Sequence, residues 1–126
     1  MADSRYFVRF KDIVGEIRPG VRMCNFDGQN MTAALISVSP LEPGPGEKPH
    51  AHENEQINIY IDGKAHMIIE GEEQVCEAGW MAIVPPNAMH QGIITVPAIQ
   101  VNFSAPARGT GYLEFMKRTA GVIEEE

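Results

Sequence analysis

Apolar and polar positions alternate along this chain in short bursts, and turn-forming residues cut the bursts at close intervals. Runs of strand length and composition lie at Val21–Phe26, Met31–Val38, Gln56–Ile61, Ala65–Glu70, Trp80–Val84 and Ala98–Ser104. Between and around them fall Arg18-Pro19-Gly20, Asp27-Gly28, Pro43-Gly44-Pro45-Gly46, Asp62-Gly63, Gly71, Ala78-Gly79, Pro85-Pro86-Asn87 and Val96-Pro97. Gly supplies left-handed backbone and Pro pre-sets φ, so such clusters mark reversals of direction. Many short strands separated by such turns predict an all-β sandwich or barrel. Only Tyr112–Arg118 reads as helix, a short C-terminal one, and Gly121–Glu126 reads as an acidic tail.

Strand parity sharpens this picture, because successive side chains point to opposite faces. In Gln56–Ile61 one face carries Gln56, Asn58 and Tyr60 and the other Ile57, Ile59 and Ile61. In Ala98–Ser104 one face carries Gln100, Asn102 and Ser104 and the other Ile99, Val101 and Phe103. If Gln56 faces an internal cavity, Asn58 and Tyr60 face it too. The competing arrangement sends the polar faces to solvent, as on any half-exposed antiparallel strand.

Composition excludes several function classes. With 126 residues the chain is long enough for one domain over 1–126, its core at about 20–108, without disulfide or metal staples. The net charge of −7 leaves no basic stripe to neutralise phosphates, so nucleic acid is not an expected partner. No apolar run approaches the ~20 residues that span a bilayer. The opening stretch, Met1–Asp12, lacks the apolar core of a secretory signal, and the expected location is cytoplasmic. Cys24 and Cys76 read as two separate reduced thiols on strands, since neither has a Cys or His at ligand spacing.

Three of the four histidines carry the chemistry. They sit in Gly44-x5-His50-x-His52-x3-Gln56-x6-Gly63 and in Gly79-x5-Pro85-x-Asn87-x2-His90. His50 and His52, at i and i+2, put two imidazoles on one side of an extended segment. Gln56 keeps the same parity, Glu55 has the opposite one and reads as solvent-facing, and His90 must arrive from another strand. Neutral imidazole is the commonest metal ligand. The fourth histidine, His66, has no partner at ligand spacing and reads as a surface or hydrogen-bonded strand residue. Trp80 reads as strand packing, the methionines as core filler, and Met89 as a residue of a cavity mouth.

Gly44, His50, His52, Gly63, Gly79, Pro85 and His90 stand at the offsets of the two motifs of the cupin superfamily, which the chain resembles from about Pro40 to Arg108. The resemblance implies a single-domain cupin β-barrel, a double-stranded β-helix of jelly-roll type. It also implies a homodimer and one divalent transition metal (Mn, Fe, Ni, Co or Zn) held by His50, His52, Gln56 and His90. Gln56 replaces the usual Glu, Asn87 the usual Gly, and Ile94 a usual Asn. Asn tolerates left-handed backbone better than other non-Gly residues. With Gln in place of Glu the ligand set is neutral, so a divalent ion keeps its full charge and favours an anionic oxygen partner.

Within that superfamily, the segments His50–Gln56, Val84–His90 and Asn102–Arg108 resemble the small uronate-ketonising cupins of pectin and alginate breakdown. Their Asp-x-aromatic-x3-Arg register falls here on Asn102, Ser104 and Arg108. The arginine is retained and suits bidentate pairing with a substrate carboxylate. Asn102 cannot transfer a proton as an acid would. Tyr60 shares parity with Gln56 and is a candidate donor, although a phenol is a poor base at neutral pH. Three readings follow for a small-molecule substrate or ligand. One is a metal-dependent isomerase, tautomerase or lyase acting on a small oxygenated anion such as a sugar acid. The others are an Fe(II) or Ni dioxygenase of enols or β-diketones, and a ligand-binding cupin without turnover.

Overall fold

In the computed structural model the described residues are Tyr6, Phe7, Arg9 and residues 16–18, 20–39 and 48–107. Gly44, Arg108, the expected helix Tyr112–Arg118 and the tail Gly121–Glu126 lie outside them. The described part holds strands β1 (Glu16–Arg18), β2 (Val21–Asp27), β3 (Thr32–Val38), β4 (Glu55–Asp62), β5 (Lys64–Ile69), β6 (Glu72–Glu77), β7 (Met81–Val84), β8 (His90–Ile93) and β9 (Ala98–Ala105). All pairings are antiparallel. One sheet runs β1-β2-β3-β9-β4-β7 and a second runs β6-β5-β8. The all-β expectation is met among the described residues, as two antiparallel sheets. Among the described residues no helix is long and apolar enough to cross a membrane.

Register places the polar residues in rows across the large sheet. Thr32 faces Ser104, which faces Gln56; Ala34 faces Asn102, which faces Asn58; Ile36 faces Gln100, which faces Tyr60. Gln56, Asn58, Tyr60, Gln100, Asn102 and Ser104 are all between 2% and 8% exposed, so this polar face is the interior one. The opposite face is apolar: Ile59, Ile61, Met81 and Ile83 are 37–58% exposed, while Ile57, Val101 and Phe103 are half-buried. An apolar cluster of Tyr60, Ala65, Met67, Cys76 and Ala82 fills another part of the interior, with Ile69 and Ile94 packed against it.

Turn chemistry explains how the strands meet. Glu70 and Gly71, at φ 49° and 84°, join β5 to β6 with Ile69 opposite Glu72, a two-residue hairpin whose central residues both need left-handed backbone. Gly63 has φ 80°, and a Cβ there would lie 2.1 Å from the Pro97 carbonyl oxygen, so the close approach admits only glycine.

Three strands were not expected, β1, β6 and β8, and Trp80 is placed differently from its expected strand position. β6 was not anticipated, because in Glu-Glu-Gln-Val-Cys-Glu only Cys76 is buried and no apolar alternation exists to read. β8 is four residues long and includes Gly92, too short for a periodic signal. Trp80 precedes β7 and is about half exposed rather than packed in a strand, although its carbonyl still accepts from the Tyr60 N–H at 3.2 Å.

Candidate metal centre

Backbone hydrogen bonds stitch the two histidine segments together. His50 and His90 form a reciprocal pair, with His50 N–H to the His90 carbonyl at 2.9 Å and His90 N–H to the His50 carbonyl at 2.8 Å. In such a pair both side chains stand on the same side of the ladder. The Pro85-Pro86-Asn87-Ala88 turn supplies the third stitch. Pro86 at its second position and Asn87 at φ 66° fit a type II turn, closed by Ala88 N–H to the Pro85 carbonyl at 3.1 Å. Asn87 N–H then donates to the His52 carbonyl at 2.7 Å. The substitution of Asn for Gly is therefore accommodated in the left-handed region, as expected.

These constraints converge three imidazoles. The ring centroids of His50 and His90 are 4.2 Å apart, those of His52 and His90 4.8 Å, and those of His50 and His52 5.8 Å. One ligand atom from each can be chosen so that all three lie within 4.8 Å of one another, a group that could hold one metal ion.

Each ring is oriented from behind by a main-chain carbonyl. Nδ1 of His50 lies 2.7 Å from the Lys48 oxygen, Nδ1 of His52 2.9 Å from the Asn54 oxygen, and Nδ1 of His90 2.9 Å from the Ala88 oxygen. A carbonyl only accepts, so Nδ1 carries the proton and Nε2 presents the lone pair. That pattern is how metal-ligating histidines are held. The donor set therefore fits a divalent transition ion.

Gln56 joins the set: its Oε1 is 3.1 Å from Nε2 of His52. Its Nε2 donates to Asn58 Oδ1 at 2.8 Å, and Asn58 Nδ2 donates to Tyr60 Oη at 3.1 Å. A parallel amide contact on β9 runs from Gln100 Nε2 to Asn102 Oδ1 at 2.8 Å. Glu55 is exposed, and among the described residues no carboxylate joins the histidine group. The structure thus brings His50, His52, Gln56 and His90 together. It sets Asn102 opposite Asn58 one row further in. Tyr60 lies four residues along β4 from Gln56, about 13 Å of extended chain, and reaches the site through the amides.

Other expectations can be placed as well. His66 Nε2 meets Glu73 Oε1 at 3.0 Å on the exposed face of the small sheet. Cys24 and Cys76 are free and buried, and burial pushes the Cys76 thiol pKa up. A cavity of about 400 Å³ opens between β6 and β7, lined by Met67, Cys76, Trp80, Ala82 and Ile83 among others and by none of the three histidines. Sequence reasoning named Asn58 only for its parity and assigned it no role at the site. Its position two residues after Gln56, on the same strand face, was the available signal.

Comparisons with known proteins agree with this geometry. A family model described as a cupin domain matches residues 37–99. A search of curated proteins gave no match. Among solved structures, an RmlC-like cupin from Shewanella frigidimarina is 25% identical, with a TM-score of 0.71 over 84% of this chain and 95% of that one. KdgF from a Halomonas species is 20% identical, with a TM-score of 0.71 over 84% of this chain and 96% of that one. The salicylate 1,2-dioxygenase of Pseudoaminobacter salicylatoxidans, solved with gentisate, is 14% identical, with a TM-score of 0.61 over 71% of this chain and 26% of that one.

Proposed function

This chain belongs to the cupin family, and from that premise we propose that it is a mononuclear metal-binding protein acting as an isomerase, tautomerase or lyase on a small oxygenated anion such as a sugar acid. The observation that carries the reading is the neutrality of the convergent set: three imidazoles and one amide oxygen, with no carboxylate among the described residues. A divalent ion held there would supply Lewis-acid polarisation of a carbonyl or enol oxygen at undiminished charge. His50, His52 and His90 would hold it through Nε2, and Gln56 through Oε1.

The rest of the work falls to the chain's own residues. In this reading Arg108 pairs with the substrate carboxylate. Asn54 Nδ2 donates to the Pro106 carbonyl at 2.6 Å, which ties the end of the β9 segment to the loop carrying His52. Asn102 Oδ1 is engaged by Gln100, which leaves Asn102 Nδ2 to donate to a substrate hydroxyl. Tyr60 is the candidate proton donor, acting at the inner end of the amide row.

A second reading, metal-dependent binding without turnover, is supported by that same Asn102, an amide in the register where related enzymes place an acid. We also propose a homodimer formed through the apolar outer face of β4 and β7. Support comes from the exposure of Ile59, Ile61, Met81 and Ile83 on neighbouring strands. An alternative cover is intrachain packing by the N-terminal segment Tyr6–Phe10, of which the described aromatic residues, Tyr6 and Phe7, are largely exposed.

The test is metal analysis of untagged protein dialysed in mild buffer. Close to one transition metal per chain is expected, and none after His50→Ala with His52→Ala. Retention of metal by the double variant would overturn the site. Incubation of the loaded protein with unsaturated monouronates then separates turnover from binding alone.

A further inference from the structure

A side-chain amide has two ends of opposite character, and only the carbonyl end can face a cation. Gln56 is a usable ligand only while its amide points one way. Nothing in Gln56 itself decides this, because a half-turn about its last bond exchanges oxygen and nitrogen. The decision comes from the next residue on the same face of β4.

Asn58 is 2% exposed and accepts from Gln56 Nε2 through Oδ1 at 2.8 Å. Its own Nδ2 donates to Tyr60 Oη at 3.1 Å, so its amide is held in turn. The three side chains form one row whose bonds all run the same way, with Gln56 Oε1 at its outer end, 3.1 Å from Nε2 of His52. The reversed row is also a complete chain of hydrogen bonds. Tyr60 Oη–H would donate to Asn58 Oδ1, Asn58 Nδ2 to Gln56 Oε1, and Gln56 Nε2 to the lone pair on His52. That arrangement aims N–H groups at the site and rejects a cation. Because each amide can turn only if its neighbour does, the row has two states.

We propose that Asn58 is a positioning residue that sets the ligating atom of Gln56, and that metal binding selects the oxygen-outward polarity of the Gln56–Asn58–Tyr60 row. The inference rests on the metal reading above and deepens it. A glutamate at position 56 would need no such device, since both of its terminal atoms are oxygens. The amide ligand and the buried Asn two residues on are thus parts of one arrangement.

The experiment is a double-mutant cycle on metal affinity, with Zn(II) titrated against a chromophoric chelator and metal-free thermal unfolding recorded for every variant. Asn58→Leu is expected to weaken Zn(II) binding by about 10- to 100-fold, the usual cost of losing a residue that orients a ligand. Made in the Gln56→Glu background, it is expected to leave affinity unchanged. Asn58→Asp, which still accepts from Gln56, is expected to keep or tighten binding. The Co(II)-loaded Asn58→Leu protein should absorb more strongly in the visible than the parent, as the oxygen donor leaves and coordination number falls. Equal losses for Asn58→Leu in both backgrounds would mark a packing role and overturn the proposal. A parent chain that binds no Zn(II) would overturn the metal reading itself, and this inference with it.

Discussion

The two faces of the large sheet invert the ordinary rule for a half-buried sheet. Along β4, the side chains Gln56, Asn58 and Tyr60 that look polar in sequence are sealed inside, while Ile59 and Ile61 stand exposed. Burial of amides is costly unless each donor and acceptor is matched. Here Gln56 pairs with Asn58, Asn58 with Tyr60, and Gln100 with Asn102. The inner face is therefore held by hydrogen bonds in fixed directions, which suits a site that must orient ligands. The outer face carries area without direction, which suits association. The difference teaches that burial along this strand follows the matching of hydrogen bonds rather than hydropathy.

The comparison can be strained at both faces. The larger effect on chain stability is expected inside. Gln100→Leu removes the donor to Asn102 Oδ1 and should lower the unfolding free energy by about 1–3 kcal/mol, read from urea denaturation. A smaller loss than that from Ile59→Thr outside would undo the contrast. The outer pair Ile59→Lys with Ile83→Lys should cost the isolated chain less than about 0.5 kcal/mol per site, because both positions are already substantially exposed. It should nevertheless convert the proposed dimer to monomer, measured by light scattering during size-exclusion chromatography. An unchanged mass would remove the outer face as the interface.

The smallest expected effect concerns Cys76 in the apolar part of the interior. Burial raises its thiol pKa, so folding favours the protonated form. A raised folded pKa means that its contribution is complete below the unfolded thiol value, ~8.5, and is lost as pH rises through the folded one. Unfolding free energy should thus show a slight decline above about pH 9 that Cys76→Ala abolishes.

Much of this was legible before any fold was known. The two histidine segments, the parity that puts Asn58 and Tyr60 with Gln56, and the tolerance of Asn87 for left-handed backbone all follow from local rules. β6 was not legible, since Glu72–Glu77 has one buried side chain and owes its place to the Glu70-Gly71 turn and to pairing with β5. β8 was hidden by its brevity. Of the site residues, Arg108 lies outside the described residues, and its role rests on register alone.

By itself the sequence determined which residues share a face and which histidines are spaced to share an ion, because a strand repeats every two residues whatever surrounds it. Only the tertiary structure decided which face is interior, since that depends on where the second sheet lies. It alone brought His90 against His50, through a backbone pair between segments far apart in the chain. And it alone gave Asn58 its place, because the direction of a buried amide row is set by partners on both sides and not by the spacing of its members.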